Sequence, residues 1–186
     1  MSTITGEGEM KSAEQFIKSV EHLAGQYGLT FNKESLQEPA AKRLSYFPLL
    51  LEKLLPGAAY GHLLEQGKSP SSYYPDLFDG YLDTTAGELD PQELDFDSDD
   101  DWESMLIRFA WAGIEHELRV DDVNDSDWFS ADFVEALNRF AEKHLTGRWV
   151  AFYDQCDWCT SVYVPAAAYE AFKRLSNDLE SRLEPQ

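Results

Sequence analysis

The stretch Arg148–Val164, RWVAFYDQCDWCTSVYV, decides the fold class. Two runs rich in β-branched and aromatic residues, 148–154 and 159–164, flank a polar centre that holds both cysteines of the chain. Runs of this kind, bounded by turn-forming residues, read as antiparallel strands joined in a hairpin. Cys156 and Cys159 also form a Cys-x-x-Cys pair, which raises redox and metal readings. A thioredoxin-like pair needs its first cysteine at a helix N-terminus, where the dipole lowers the thiol pKa. Here Cys159 leads into TSVYVP, and Asp154 and Asp157 add negative charge that opposes a thiolate. A structural zinc site wants four ligands, and none of His22, His62, His116 and His144 stands at ligand spacing from the pair. The 154–159 segment is therefore read as a hairpin turn with an exposed Trp158. Changing Cys156 and Cys159 together to Ser is expected to be nearly neutral.

Outward from the hairpin, Pro165 opens a C-terminal helix. Ser130 caps ADFVEALNRFAEKHL, whose Phe133, Val134, Leu137, Phe140 and Ala141 share one face. The N-terminal third reads as a cluster of short helices. The first spans 12–27, with a Ser12/Gln15 capping box and Gly28 at its end. A second capping signature, Ser35/Glu38, precedes PAAKRLSYF, and Pro48 starts PLLLEKLL. AAYGHLLEQ adds a turn or two. Residues 1–11 read as a disordered N-terminus. From 67 to 101 periodicity is lost, and the segment reads as a long loop packed down by Tyr73, Tyr74, Leu77, Phe78 and Tyr81. A helix over 102–114, capped by Asp100 or Asp101, and a short strand at HELRV follow. The expected class is α+β, with a small antiparallel sheet in one domain over 1–186.

The apolar fraction of 43% and 25 aromatic residues suffice for a core, although 35 acidic residues against 15 basic ones leave a net charge of −20. Residues 76–135 hold 20 acidic residues and two bases, Arg108 and Arg119, a net of −18. That sign excludes nucleic acid as a direct ligand, because affinity there comes from Lys and Arg neutralising phosphates, and it disfavours anionic membranes. The start, MSTITGEGEMK, lacks the basic and apolar regions of a signal peptide, and FPLLLEKLLPGAAY is too short to span a bilayer. A cytoplasmic location is expected.

Catalytic and cation-binding patterns fail on inspection. GHLLEQGKS has five residues between its glycines where a phosphate loop has four. Asp95, Asp97, Asp99, Asp101 and Glu103 match odd positions of a calcium loop, but Asp100 stands where Gly is needed and Leu106 where Glu is. No cofactor or metal is expected.

Two acidic runs carry large aromatics: Asp97, Asp99, Asp100 and Asp101 beside Trp102, and Asp125 and Asp127 beside Trp128. Aromatic anchors ringed by charge suit an interface with a basic protein, and Trp158 is a further candidate. In size, acidity and layout the chain resembles small acidic bacterial immunity proteins. No motif carries that resemblance, and it transfers no residue. It implies a non-catalytic module that neutralises a basic protein. The alternatives are an enzyme centred near His116, His144 or the 154–159 turn, and an accessory domain with no single partner.

Overall fold

The computed structural model describes residues 6–37, 39–64, 69–99, 101, 103–123, 129–154 and 157–183, with backbone alone for 6–12, 39 and 40. Its α-helices are α1 (Gly6–Tyr27), α2 (Phe47–Leu54), α3 (Pro70–Asp83), α4 (Ala131–His144) and α5 (Tyr169–Leu183). Its strands are β1 (Ala59–Leu63), β2 (Gln92–Ser98), β3 (Ser104–Trp111), β4 (Ile114–Asp121), β5 (Gly147–Tyr153) and β6 (Trp158–Pro165). Three short 3-10 turns lie between α1 and α2. The strands make two antiparallel sheets, ordered β1-β6-β5 and β2-β3-β4. The class is α+β.

The expected hairpin is β5–β6, paired from Gly147↔Pro165 to Tyr153↔Cys159. Six consecutive residues of β6, Cys159–Val164, are buried. A strand with that pattern must be covered on both faces, and it reads as a continuous apolar run. Val150, Phe152, Val162 and Val164 pack on one side with Phe16, Val20, Leu50, Leu51 and Phe172, from α1, α2 and α5. Trp149 and Tyr163 point to the other side, where Tyr74, Phe78 and Tyr81 of α3 and Phe133, Leu137 and Phe140 of α4 lie. The second sheet closes that core from outside with Met105, Ile107, Phe109, Leu118 and Val120. The protein is thus layered: helices, sheet, helices, outer sheet. Among the described residues, the outer sheet leaves one face to solvent.

Several expectations give way. The 67–101 segment is not a loop: it holds α3 and β2. Tyr73, Tyr74, Leu77, Phe78 and Tyr81 fall at helical spacing and are all buried. Pro70 suits the first turn, and Pro75 removes one i→i−4 bond without ending the helix. Gly80 belongs in α3 because the Tyr60 ring occupies the place its side chain would take.

The helix expected over 102–114 is β3, which alternates buried Met105, Ile107 and Phe109 with half-buried Leu106, Arg108 and Ala110. AAYGHLLEQ begins with β1 instead of helical turns. Helix α1 already runs at Gly6, inside the stretch read as disordered. Ser35 lies within a 3-10 turn, where its hydroxyl donates to Lys53 O at 3.2 Å; its expected capping partner Glu38 lies outside the described residues. Among the described residues no helix is long and apolar enough to cross a membrane.

Candidate functional site

At the hairpin, Asp154 Oδ1 accepts from Trp158 N (2.9 Å), Asp154 N donates to Trp158 O (3.0 Å), and the pair closes the turn. Cys156 lies outside the described residues. Cys159 is a strand residue, not a turn residue, and is fully buried. Burial pushes its thiol up to about 12, opposed by weaker hydrogen bonding to Ser161. A thiol so placed is protonated at neutral pH and is no nucleophile. A serine at 159 would place a hydroxyl where a fully buried sulfur sits, which argues for a cost at that position rather than a neutral change. Trp158 is half-buried, its indole seated over Gly61 and its Nε1 donating to Thr160 Oγ1 at 3.0 Å. It is not the exposed anchor the sequence suggested.

Opposite Cys159 in register is His62, caged by Tyr60, Tyr81 and Phe129 with ring centroids 5.0–6.1 Å away. Tyr73 Oη donates to Leu63 O at 2.8 Å, and Tyr81 Oη meets Ser161 Oγ at 2.6 Å. The cluster is neutral and largely buried; His62 Nδ1 and the Tyr73 and Tyr81 hydroxyls are internally bonded, and His62 Nε2 has no partner among the described residues. It reads as core.

The exposed acidic surface is the outer face of the β2-β3-β4 sheet. Alternation sends Asp95 and Asp97 of β2, Leu106, Arg108 and Ala110 of β3, and Glu115, Glu117, Arg119 and Asp121 of β4 outward. Five carboxylates thus surround two arginines. Arg108 sits between three of them, 2.9 Å from Asp97, 2.9 Å from Glu117 and 3.8 Å from Asp95. Arg119 pairs with Asp121 at 2.8 Å.

Of the residues singled out from sequence, Asp97 is on this face. Asp99 instead holds the β2–β3 connection, accepting from Glu103 N (2.8 Å), Ser104 N (3.0 Å) and Ser104 Oγ (3.1 Å). Asp101 is exposed in that connection. Trp158 lies on the other sheet. Asp100, Trp102, Asp125, Asp127 and Trp128 lie outside the described residues. Sequence reasoning missed Glu115, Glu117 and Asp121 as members of one face. The signal was the period-2 alternation of 104–111 and its two-residue turn at Ala112-Gly113, where both φ angles are positive, 52° and 77°.

His116 and His144, separate in the sequence, meet in the structure. His116 faces inward from β4 opposite Phe109, and His144 ends α4. Their ring centroids are 5.0 Å apart, with Phe140 4.7 Å from His144 and 5.1 Å from His116. A cleft of about 280 Å³ opens beside them between β4 and α4. No group of three or more His, Cys, Asp or Glu among the described residues is placed to hold a metal. Comparison with protein-family models, with curated proteins and with solved structures finds no match for this chain.

Proposed function

We propose that the protein is a non-catalytic acidic binding module, acting in the cytoplasm, whose outer sheet face engages a basic protein as an inhibitor or immunity protein would. The observation that carries this reading is the uncovered face of β2-β3-β4: five carboxylates on a rigid sheet around half-buried Leu106 and Ala110. Charge on a fixed surface steers an oppositely charged partner and suppresses wrong ones, while the small apolar centre gives area to bury. The same sign of charge disfavours nucleic acid and anionic lipid as direct ligands.

The test compares two variants in affinity capture from host lysate, read by mass spectrometry at low salt and at roughly 0.5 M, where screening shrinks to a few ångströms. One neutralises the sheet face: Asp95→Asn, Asp97→Asn, Glu115→Gln and Glu117→Gln. The other removes the same formal charge from the helical layer: Glu14→Gln, Glu21→Gln, Glu170→Gln and Asp178→Asn. A basic protein held by wild type and the helical variant, and lost with the face variant or with salt, is the expected result. Equal capture by both variants would overturn the reading.

An enzyme centred on His116 and His144 is the second reading, favoured by the 5.0 Å approach of the two rings. Among the described residues no third group is hydrogen-bonded to either ring to orient a catalytic base. Neither ring makes a hydrogen bond among the described residues, and His116 Nε2 is enclosed without a partner.

A further inference from the structure

The cleft beside His116 gathers basic side chains in an acidic part of the chain. Its walls carry Arg119, Arg139, Lys143, His116 and His144 beside Glu117. Arg119 is engaged by Asp121, and Arg139 by Asp132 and Glu135, which leaves Lys143 as the wall cation without a carboxylate among the described residues. Residues 76–135 offer only two basic residues, and one of them is here. Lys143 is exposed on α4 and makes no ion pair among the described residues.

Backbone geometry adds donors to that wall. β4 is an edge strand, bonded to β3 alone. Asp121 N donates off this edge to Asp132 Oδ2 at 2.8 Å, and Arg119 O accepts from Arg139 Nη2 at 3.3 Å. Alternate residues of an antiparallel strand direct their N–H and C=O the same way, so the N–H groups of Glu117 and Arg119 also face α4, together with the Glu117 carbonyl. Those contacts close the groove at its Asp121 end and leave it open toward His116 and His144.

The floor is not explained by packing alone. An imidazole whose Nε2 is enclosed without a partner costs more than an apolar side chain would at that place.

We infer that the groove between β4 and α4 binds a small multivalent oxyanion, the chemistry of a phosphorylated or polycarboxylated metabolite. The Lys143 ammonium, the edge N–H groups of Glu117 and Arg119 and the exposed His144 imidazole are the donors left to meet it. Charge-assisted bonds from such groups to an oxyanion are the strong class of hydrogen bond. The volume, about 280 Å³, lies at the small end of ligand pockets. This site shares Glu117 and Arg119 with the acidic face but needs no protein partner there.

Imidazole C–H resonances of the full chain, followed by NMR, test it. Sodium pyrophosphate and sodium citrate are titrated separately at fixed pH and constant ionic strength, with sodium chloride as the blank. The His116 and His144 signals, assigned with His116→Gln and His144→Gln, are expected to move saturably, while those of His22 and His62 stay still. Saturation by pyrophosphate alone names a phosphate ligand, and by citrate alone a carboxylate one. Lys143→Ala, which removes an exposed and unpaired side chain, should weaken the apparent affinity about tenfold, the loss of one bond to a charged group. Arg139→Gln provides a second, independent loss of similar size. Unsaturating shifts that chloride reproduces, or titrations that neither variant alters, would overturn the proposal.

Discussion

His62 shows how a single side chain ties the core to solution conditions. It is 7% exposed. Its Nδ1 lies 3.1 Å from Leu63 O and 3.4 Å from Tyr73 Oη, while Nε2 is enclosed with no partner. Donation from Nδ1–H to the carbonyl leaves Nε2 as a bare lone pair among rings, and a second proton there would find no acceptor. Desolvation therefore lowers the pKa from 6.5 to about 4. As pH falls below 6.5 the unfolded chain takes up a proton that the folded one refuses until about 4. The unfolded state thus binds more protons in that window, and stability falls as pH falls through it. The full contribution is present above pH 6.5, and the loss by pH 4 amounts to about 3 kcal/mol. Urea unfolding of wild type and His62→Phe across pH 4–7 reads this directly. The difference between the two curves should shrink or grow by that amount over the window, wild type losing more toward acid. Parallel curves would mean that the imidazole charges without cost. Cys159, its neighbour in register, is silent over the same range because its thiol remains protonated.

At the scale of elements, what could be read from the chain depended on how many faces each element buries. The β5–β6 hairpin was readable because a strand covered on both sides is a dense apolar run, and α4 because Phe133, Val134, Leu137, Phe140 and Ala141 leave only one period. Met105, Leu106 and Phe109 fit both helical spacing and a half-buried strand, and the helical choice was wrong. Resolving it needed the turn: Trp111 pairs with Ile114 across Ala112-Gly113, a type I′ geometry usually announced by Asn-Gly or Asp-Gly. Ala112 gave no such cue, yet it holds φ 52°. The grouping of Asp95, Asp97, Glu115, Glu117 and Asp121 on one face followed from that sheet and was hidden with it. The meeting of His116 and His144 depends on how α4 docks on β4, which no local pattern records. The left-handed conformation at Ala112 costs an L-residue about 1 kcal/mol or more, and Asn tolerates it better. Ala112→Asn should therefore stabilise the protein by about 0.5–1 kcal/mol, raising the melting temperature by about 1–4 °C. A fall in melting temperature would show that the hairpin does not have this turn.

For the whole molecule, layering segregates charge. The middle sheet is covered on both faces and has no room for carboxylates, so residues 76–135, which supply the outer sheet, carry 20 of the 35 acids. Two effects of salt then oppose each other. Screening weakens exposed ion pairs such as those of Arg108, whose side chain is 42% exposed, but pairs of that kind contribute only about 0–1 kcal/mol. Screening also relieves the self-repulsion of a chain with net charge −20, a sum over many like charges that destabilises the compact state. The Debye length falls from roughly 30 Å at 0.01 M to a few ångströms at about 0.5 M. Repulsion across the outer sheet is thus nearly unscreened at the low end and nearly abolished at the high end, and the many-body term should win. The melting temperature is expected to rise with sodium chloride over that range. The rise should be smaller in the variant with Asp95, Asp97, Glu115 and Glu117 neutralised, because it starts with less repulsion to relieve. It should also be smaller there than in the variant with four helical-layer carboxylates removed, since those carboxylates are split between α1 and α5. A melting temperature that is flat or falls with salt would reverse the ranking and make the Arg108 pairs, not the repulsion, the dominant electrostatic feature of the fold.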